Sequence, residues 1–540
     1  MESVWVVPLL PAVISNSALS VPRFPIYLSG LVVAFVILNV LWQQLPSQKS
    51  EPPLVFHWFP FIGNAFSYGT DPFNFYVECR RKHGDIFTFI LFGKKMTVYL
   101  GVNGNDFILN GRLQDLNAEE IYSPLTTPVF GNDVVYDCPN SKLMEQKKFI
   151  KFGLTQTALE SHVLLIEKEV IDYIKTSSSW KGRSGTVHIP SAMAEITIFT
   201  AARSLQGLEV RRKLTAEFAE LYDDLDGGFR PINFLMPWAP LRQNRRRDAA
   251  REKMASIYMD LITARRQRYT QVEDEEPDMI SNLMRCTYKD GNPIPDKEIA
   301  NIMITLLMAG QHSSSSSGSW IMLRLASRPD ISEELYQEQV RVSMHGSTFS
   351  PLQYSDIDKF PMLKNVLKET LRVHSSIHSL MRKVKNPMPV PGSDYVITPD
   401  KVLLASPIVT HLSEMYFSNP LVWDPHRWDD ASEEEAASKA DDGTSSISAG
   451  TRSPYLPFGV GRHRCVGEKF AYVNLCTIIA TLVREFKFRT LDGTTKVPPT
   501  DYTSLFSRPG QPAEIRWEKR VVETVLSLES VSARYKVLLE

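Results

Sequence analysis

Residues 26–42 read IYLSGLVVAFVILNVLW, apolar except at Ser29 and Asn39 and free of charge. A run of this length lies at the short end of what a bilayer-spanning helix needs. A cleaved signal peptide would show a basic leader and a small-residue cleavage site after Leu41, and a buried core helix would be amphipathic. The pattern therefore predicts a membrane anchor over residues 26–45. It follows an N-terminal segment, 1–25, whose own apolar stretch is broken by Pro8 and Pro11. Arg23 and Lys49 are the nearest charges, too sparse to orient the anchor by the positive-inside rule. Residues 46–60 are proline-rich and read as a stiff hinge. Residues 85–100 (DIFTFILFGKKMTVYL) form two β-prone runs around Gly93 and Lys94, a hairpin signal. From 140 to 370 the periodicity is mostly helical, and short β-prone stretches return at 394–397 and 402–404. The predicted fold class is mainly α with small β-sheets. Residues 429–452 are acidic and serine-rich with few bulky apolar positions, which predicts a disordered surface insertion. The tail 521–540 keeps some helical periodicity.

Composition narrows this little further. Hydrophobic residues make up 43% of the 540 and are spread evenly, so one large domain over 61–520 fits better than several. A net charge of −1 gives no support to a nucleic-acid partner. The five cysteines show no paired spacing, which reads as free thiols in a reducing compartment and places the folded part on the cytosolic side.

Three constellations carry chemistry. The first is a long helix starting at Asp296, a good N-cap residue, and closed by Arg328-Pro329. Its middle, Ala309-Gly310-Gln311-His312-Ser313 followed by serines to Ser317 and Gly318, is built from poor helix formers. One reading ends the helix there and begins a linker. The immediate return of an apolar helical pattern at Trp320 favours a continuous helix with a loosened, water-admitting groove that could pass protons, with His312 and Ser313 as the ionisable and hydroxyl pair. The second is Glu369 and Arg372, one turn apart on a helix over 363–373, joined downstream by Arg427 in Trp423-Asp-Pro-His-Arg427-Trp. Alone such a pair is common surface decoration. The third is the loop Phe458-Gly-Val-Gly461-Arg462-His463-Arg464-Cys465-Val466-Gly467. It sets a cysteine among positive charges, backbone N–H groups and a helix N-terminus, all of which favour thiolate. Its glycines let backbone approach a flat group closely. An ordinary buried cysteine after a turn is the alternative.

The fully occupied pattern F-x-x-G-x-H-x-C-x-G resembles the haem-binding loop of the cytochrome P-450 superfamily, and the order Glu369/Arg372, Arg427, Cys465 is that of the superfamily. Residues 122–149, 307–312 and 374–384 resemble sterol 14α-demethylases in their fungal form, and the resemblance covers about residues 50–520. It implies the cytochrome P-450 fold and haem b held by Cys465 as axial ligand to the iron. Tyr122, Tyr136, Lys147, Arg382 and His463 would hold the propionates, Gly310 would lie at the haem, and Glu369, Arg372 and Arg427 would form a buried network behind it. It further implies a proton route through Asp226 and His312, with Ser313 in place of the usual threonine. Tyr122, Tyr136, Phe130, Phe229, Met308, Leu380 and Leu505 would line a sterol pocket, whose far wall at residues 507–509 departs from some relatives. The implied enzyme is a monooxygenase that removes the 14α-methyl group of lanosterol or eburicol in three oxidations. These consume O2 and NADPH-derived electrons from cytochrome P-450 reductase and release formic acid, in ergosterol biosynthesis at the endoplasmic reticulum membrane. Residues 230–238 followed by Arg242, Arg245, Arg246 and Arg247 read either as a solvated face or as a lip on anionic membrane. Two other functions stay open. One is an oxygenase of another lipid or xenobiotic, against which the 122–147 block speaks. The other is a non-catalytic haem or sterol binder, which would need no proton route.

Overall fold

The hairpin expected over 85–100 closes through Phe92 and Gly93, at φ 48° and 75°. Those positive values match the twist of the flanking strands, as a two-residue turn requires. In this computed structural model, which describes residues 23–45, 48–214, 216–230, 232–233, 236–268, 278–346, 348–429, 452–504 and 506–520, the two strands are β1 (Ile86–Leu91) and β2 (Lys94–Tyr99). Further strands are β3 (Leu116–Asn117), β4 (Ser184–His188), β5 (Leu380–Val384), β6 (Lys401–Ala405), β7 (Phe486–Thr490), β8 (Thr500–Asp501), β9 (Arg508–Pro509) and β10 (Glu514–Lys519). One sheet runs β1-β2-β6-β5-β3, with β6 parallel to β2 and the other pairs antiparallel. A second runs β7-β10-β4, and β8 pairs with β9.

Helices dominate, as expected. Those that position the site are α1 (Arg23–Gln43), α2 (Glu119–Phe130), α3 (Asn140–Phe152), α4 (Gln156–Thr176), α5 (Ile189–Ala201), α6 (Ala216–Asp226), α7 (Arg242–Arg268), α8 (Asp296–Ser327), α9 (Pro361–Val373) and α10 (Glu468–Glu485). Helix α8 runs unbroken through its serines for 32 residues. Its N-terminal half packs Ile299, Ile302, Met303 and Leu307 with Tyr222 and Leu225 of α6 and Met254 and Tyr258 of α7. Its C-terminal half packs Trp320, Ile321 and Leu325 with Met193 of α5, Leu363 of α9 and Ile478 of α10. Serines and a glycine in mid-helix cost about 0.5–1 kcal/mol each. Each large side chain buried on either flank returns about 1.5–3 kcal/mol, so tertiary packing carries the helix across its weak centre. The serine hydroxyls also find carbonyl partners, within the helix and beyond it: Ser313 donates to the Ala309 carbonyl at 3.0 Å and Ser316 to the distant Ser507 carbonyl at 2.7 Å.

Several expectations are corrected. Asp296 is not the cap; it sits in the first turn after Pro295 and pairs with Arg266 at 3.0 Å. Among the described residues no helix is long and apolar enough to cross a membrane, so the span over 26–45 is not carried by the structure. Asn39 donates to the carbonyls of His57 and Trp58 at 2.9 and 3.1 Å, and Gln43 to that of His57 at 2.8 Å. The last turns of α1 are thereby tied to the domain, while Tyr27, Leu28, Leu31, Phe35 and Leu38 stay exposed. Arg247 does not belong to an exposed basic face; its guanidinium turns inward onto the Pro237 carbonyl. All five cysteines are free thiols, as expected. Residues 1–22, positions 430–451 of the acidic insertion, Leu505 and the tail 521–540 lie outside the described residues.

Candidate active site

The cysteine loop is shaped by two close approaches. Gly461 has φ 70°, and a Cβ there would lie 2.9 Å from the Leu109 carbonyl oxygen, so only glycine fits. The Cys465 N–H donates to the Phe458 carbonyl at 3.0 Å, folding the loop back before α10. Cys465 keeps exposed surface, yet protein encloses it closely enough for burial to dominate its acidity. That surface opens inward rather than to bulk water.

The expectation of a spontaneously favoured thiolate is not met. Burial pushes the Cys465 thiol up; the Gly467 N–H lowers it, Glu468 raises it, and Lys147 and Arg464 offset part of the rise. The positive charges the sequence promised are largely committed elsewhere. Arg464 pairs with Glu468 at 2.6 Å, and Lys147 donates to the Arg462 and Arg464 carbonyls at 2.8 Å each. His463 is no cation: burial, then Arg382, Lys147 and Arg462, hold it at about 3. Coordination to a metal, which deprotonates a thiol outright, would have to supply the thiolate.

The five residues expected at an anionic group come together from distant parts of the chain. Tyr122 and Tyr136 stack at 4.8 Å, and Tyr136 lies 5.7 Å from the His463 ring. The Tyr122 hydroxyl accepts from the Met381 N–H at 2.9 Å, next to Arg382 on β5. Arg382 is 4% exposed and donates to the Met381 carbonyl, and among the described residues it has no carboxylate partner. Burial pulls Lys147 down to about 8, with the charges of Lys151 and Arg382 also lowering it and that of Cys465 opposing them. The nearest carboxylate to this group is Glu119, 3.9 Å from His463. Buried cations without matching anions are costly, so this donor set fits a dianionic ligand. The middle of α8 leaves room for a flat one. Ala309 is exposed although Leu307, Met308 and Gln311 around it are buried, and a Cβ on Gly310 would meet nothing within 4 Å.

Behind the loop, the charged network is complete. Glu369 and Arg372 are both fully buried and joined twice, at 2.8 and 2.7 Å. Arg372 also donates to the carbonyls of His411 and Pro420 at 2.7 Å and of Val422 at 3.2 Å. Glu369 accepts further from the Asp424 N–H at 3.0 Å and the Trp428 indole at 3.1 Å. Arg427 touches Glu369 only at 3.4 Å and gives its best bond to the Ser418 carbonyl at 2.6 Å.

On α8, His312 Nε2 lies 3.1 Å from Asp226 Oδ1, the pairing the resemblance implied. The same nitrogen lies 3.0 Å from the Tyr222 hydroxyl, which donates to Gln311 Oε1. The Phe506 ring stacks on the imidazole at 5.2 Å and 10°. Burial lowers the His312 pKa; Asp226 raises it and Arg508 lowers it. Tyr222, Gln311 and Phe506 escaped the sequence reading. Nothing local marks them, since the tyrosine is one of 19 and meets the helix only in three dimensions. Of the pocket residues, Phe130, Phe229 and Met308 share one apolar cluster, with the first two rings 5.7 Å apart. Leu380 packs instead against a different cluster around Ile108 and Val460.

Comparison with known proteins gives this geometry its context. Residues 52–517 match the family Cytochrome P450. A sterol 14-alpha demethylase of Gibberella zeae is 66% identical, covering 92% of this chain and 98% of that one. An eburicol 14-alpha-demethylase of Penicillium italicum is 61% identical, covering 92% and 97%. Among solved structures, the retinoic acid-bound cyanobacterial CYP120A1 superposes with a TM-score of 0.71 at 20% identity, covering 88% of this chain and all of that one. A likeness at that identity speaks for the fold alone.

Proposed function

The chain belongs to the cytochrome P450 family and, within it, to the fungal sterol 14α-demethylases; from that premise we propose how its own residues carry out the demethylation. The enzyme is a haem-thiolate monooxygenase of ergosterol biosynthesis. Lanosterol and eburicol are its candidate substrates. Haem, when bound, supplies the activation of O2 with NADPH-derived electrons from a reductase, so that the 14α-methyl leaves as formic acid after three oxidations.

Cys465 is the residue that holds the iron. Arg382 and Lys147, with the Tyr122 and Tyr136 hydroxyls, take the propionates, and His463 contributes as a neutral hydrogen-bonding ring. Glu369, Arg372 and Arg427 brace the carbonyls of residues 411–422 behind the loop. His312 and Asp226 move protons between solvent and the site, and Ser313 lies one position further along α8. Phe130 and Phe229 form an apolar wall that would exclude water from the sterol methyl. Met308 belongs to the same apolar cluster, whereas Leu380 packs in a neighbouring one; Leu505 is carried over as a pocket residue from the resemblance alone.

The catalytic domain spans 61–520 and works at the endoplasmic reticulum membrane, facing the cytosol. In support of membrane contact, α1 exposes its apolar side chains, and Trp58, Phe66 and Trp238 are exposed on the domain itself. The observation that carries the haem assignment is the carboxylate-poor cluster of the buried Arg382 with the half-buried Lys147 and Arg462, beside the Cys465 thiol. The experiment is reconstitution with reductase, NADPH and each sterol in turn. Formic acid and the demethylated sterol are expected in equal amounts. Haem-loaded protein that consumes NADPH without either product would overturn the assignment.

A further inference from the structure

His312 Nε2 has two acceptors of different character. Asp226 Oδ1 at 3.1 Å belongs to a side chain that is 40% exposed, whereas the Tyr222 hydroxyl at 3.0 Å belongs to a buried one. A hydroxyl has a single proton. Tyr222 commits that proton to Gln311 Oε1, and Gln311 is itself buried. What faces the imidazole is therefore a lone pair, which is satisfied only if Nε2 carries hydrogen. The tautomer of His312 is set by the Tyr222–Gln311 pair, independently of the carboxylate. Phe506 stacked on one face and the edge of Phe229, 6.0 Å away, limit rotation of the ring.

We propose that Tyr222, oriented by Gln311, is a positioning residue of the proton route: it is the buried alternate acceptor of the His312 Nε2–H and keeps the imidazole in one tautomer and one pose while Asp226 exchanges with solvent. This rests on reading His312 and Asp226 as that route. The charged and titratable groups facing the ring are Asp226 and Tyr222 from α6 and Arg508 from β9, whose own partner is Asp501 at 3.0 Å. Asp223 acts on Tyr222 from the same helix, and Asp224 is engaged by Arg246 at 2.9 Å. Because either acceptor can hold Nε2–H when the other is lost, each covers for its partner.

The test uses the full-length, haem-loaded protein and the variants Y222F, D226A, Y222F/D226A and H312N. Y222F should lower demethylation about 5-fold, the scale of one neutral hydrogen bond, and D226A about 10-fold. The double variant should fall well beyond the roughly 50-fold product, toward the 10²–10⁴-fold that a positioned proton donor supplies. A second readout does not depend on turnover. With 13C-labelled histidine in the diamagnetic ferrous carbon monoxide form, the His312 resonance, assigned by its loss in H312N, should titrate at lower pH in Y222F. An acceptor that stabilises the imidazolium has gone while the apolar surroundings remain. A double effect equal to the product of the singles, or a His312 titration unmoved by Y222F, overturns the proposal. Full demethylation by H312N would instead overturn the proton-route reading beneath it.

Discussion

Replacing Arg372 by alanine is the sharpest test of the network behind the cysteine loop. The guanidinium makes five hydrogen bonds in a site with no exposure, two to Glu369 and three to backbone carbonyls of residues 411, 420 and 422. Breaking a buried pair from one side costs about 3–5 kcal/mol because the other charge is stranded. The carbonyls of His411 and Pro420, orphaned where water cannot reach them, add about 1–3 kcal/mol each, while that of Val422 keeps a bond from Arg427. The total, about 5–11 kcal/mol, rivals the whole stability of an ordinary domain. R372A should therefore yield neither soluble folded protein nor haem. R427A should be milder. Its contact with Glu369 is long and its main role is to cap Ser418, so about 2–3 kcal/mol is expected. With an unfolding entropy of about 2.1 cal/mol/K per residue over the roughly 460 residues 61–520, that lowers Tm by about 2–3 °C. The assay is thermal unfolding by far-UV circular dichroism beside the carbon monoxide difference spectrum. Folded, haem-loaded R372A, or an R427A as damaging as R372A, would refute the reasoning.

Three further outcomes follow from the site and the surface. C465S should keep its circular dichroism yet show no red-shifted Soret band with carbon monoxide after reduction, and a retained band would remove Cys465 as the ligand. His411 accepts from the Leu456 N–H at 2.8 Å and is held at about 3 by burial and, secondarily, by the Arg372 charge. The unfolded chain thus binds a proton below pH 6.5 that the folded one refuses. The stability is fully present above pH 6.5 and falls as pH drops toward 3, by about 1.4 kcal/mol per pH unit for one such group. H411Q should flatten the urea midpoint between pH 7 and pH 5, and an unchanged slope would count against the assignment. Deleting residues 1–43 should reduce flotation with phospholipid vesicles, and adding W238S and F66S should reduce it again. Undiminished flotation of the triple change would place membrane contact elsewhere.

Much of the architecture was legible because it is written over short distances. The hairpin over 85–100, whose turn falls at Phe92–Gly93 one residue before the expected Gly93–Lys94, the helix that carries Glu369 and Arg372, and the glycine-bounded loop around Cys465 each depend on residues within about ten positions. The continuity of α8 across its serines was legible too, from the return of apolar periodicity at Trp320. The resemblance brought Asp226 to His312. The hydrogen bonds that Asn39 and Gln43 make to residues 57 and 58 were not legible, because periodicity does not register them.

On its own, the amino-acid order determined which residues have the chemistry: one cysteine in a glycine-bounded loop, a histidine in a serine-rich helix, an acid and two arginines in fixed order. Tertiary structure decided what those groups are able to do. The Cys465 thiol is raised rather than lowered because enclosure outweighs nearby charges already spent on Glu468 and on loop carbonyls. His312 meets Tyr222 across 90 residues of chain. Desolvation and partner choice depend on everything packed around an atom, and that surrounding is assembled only when distant segments close upon one another.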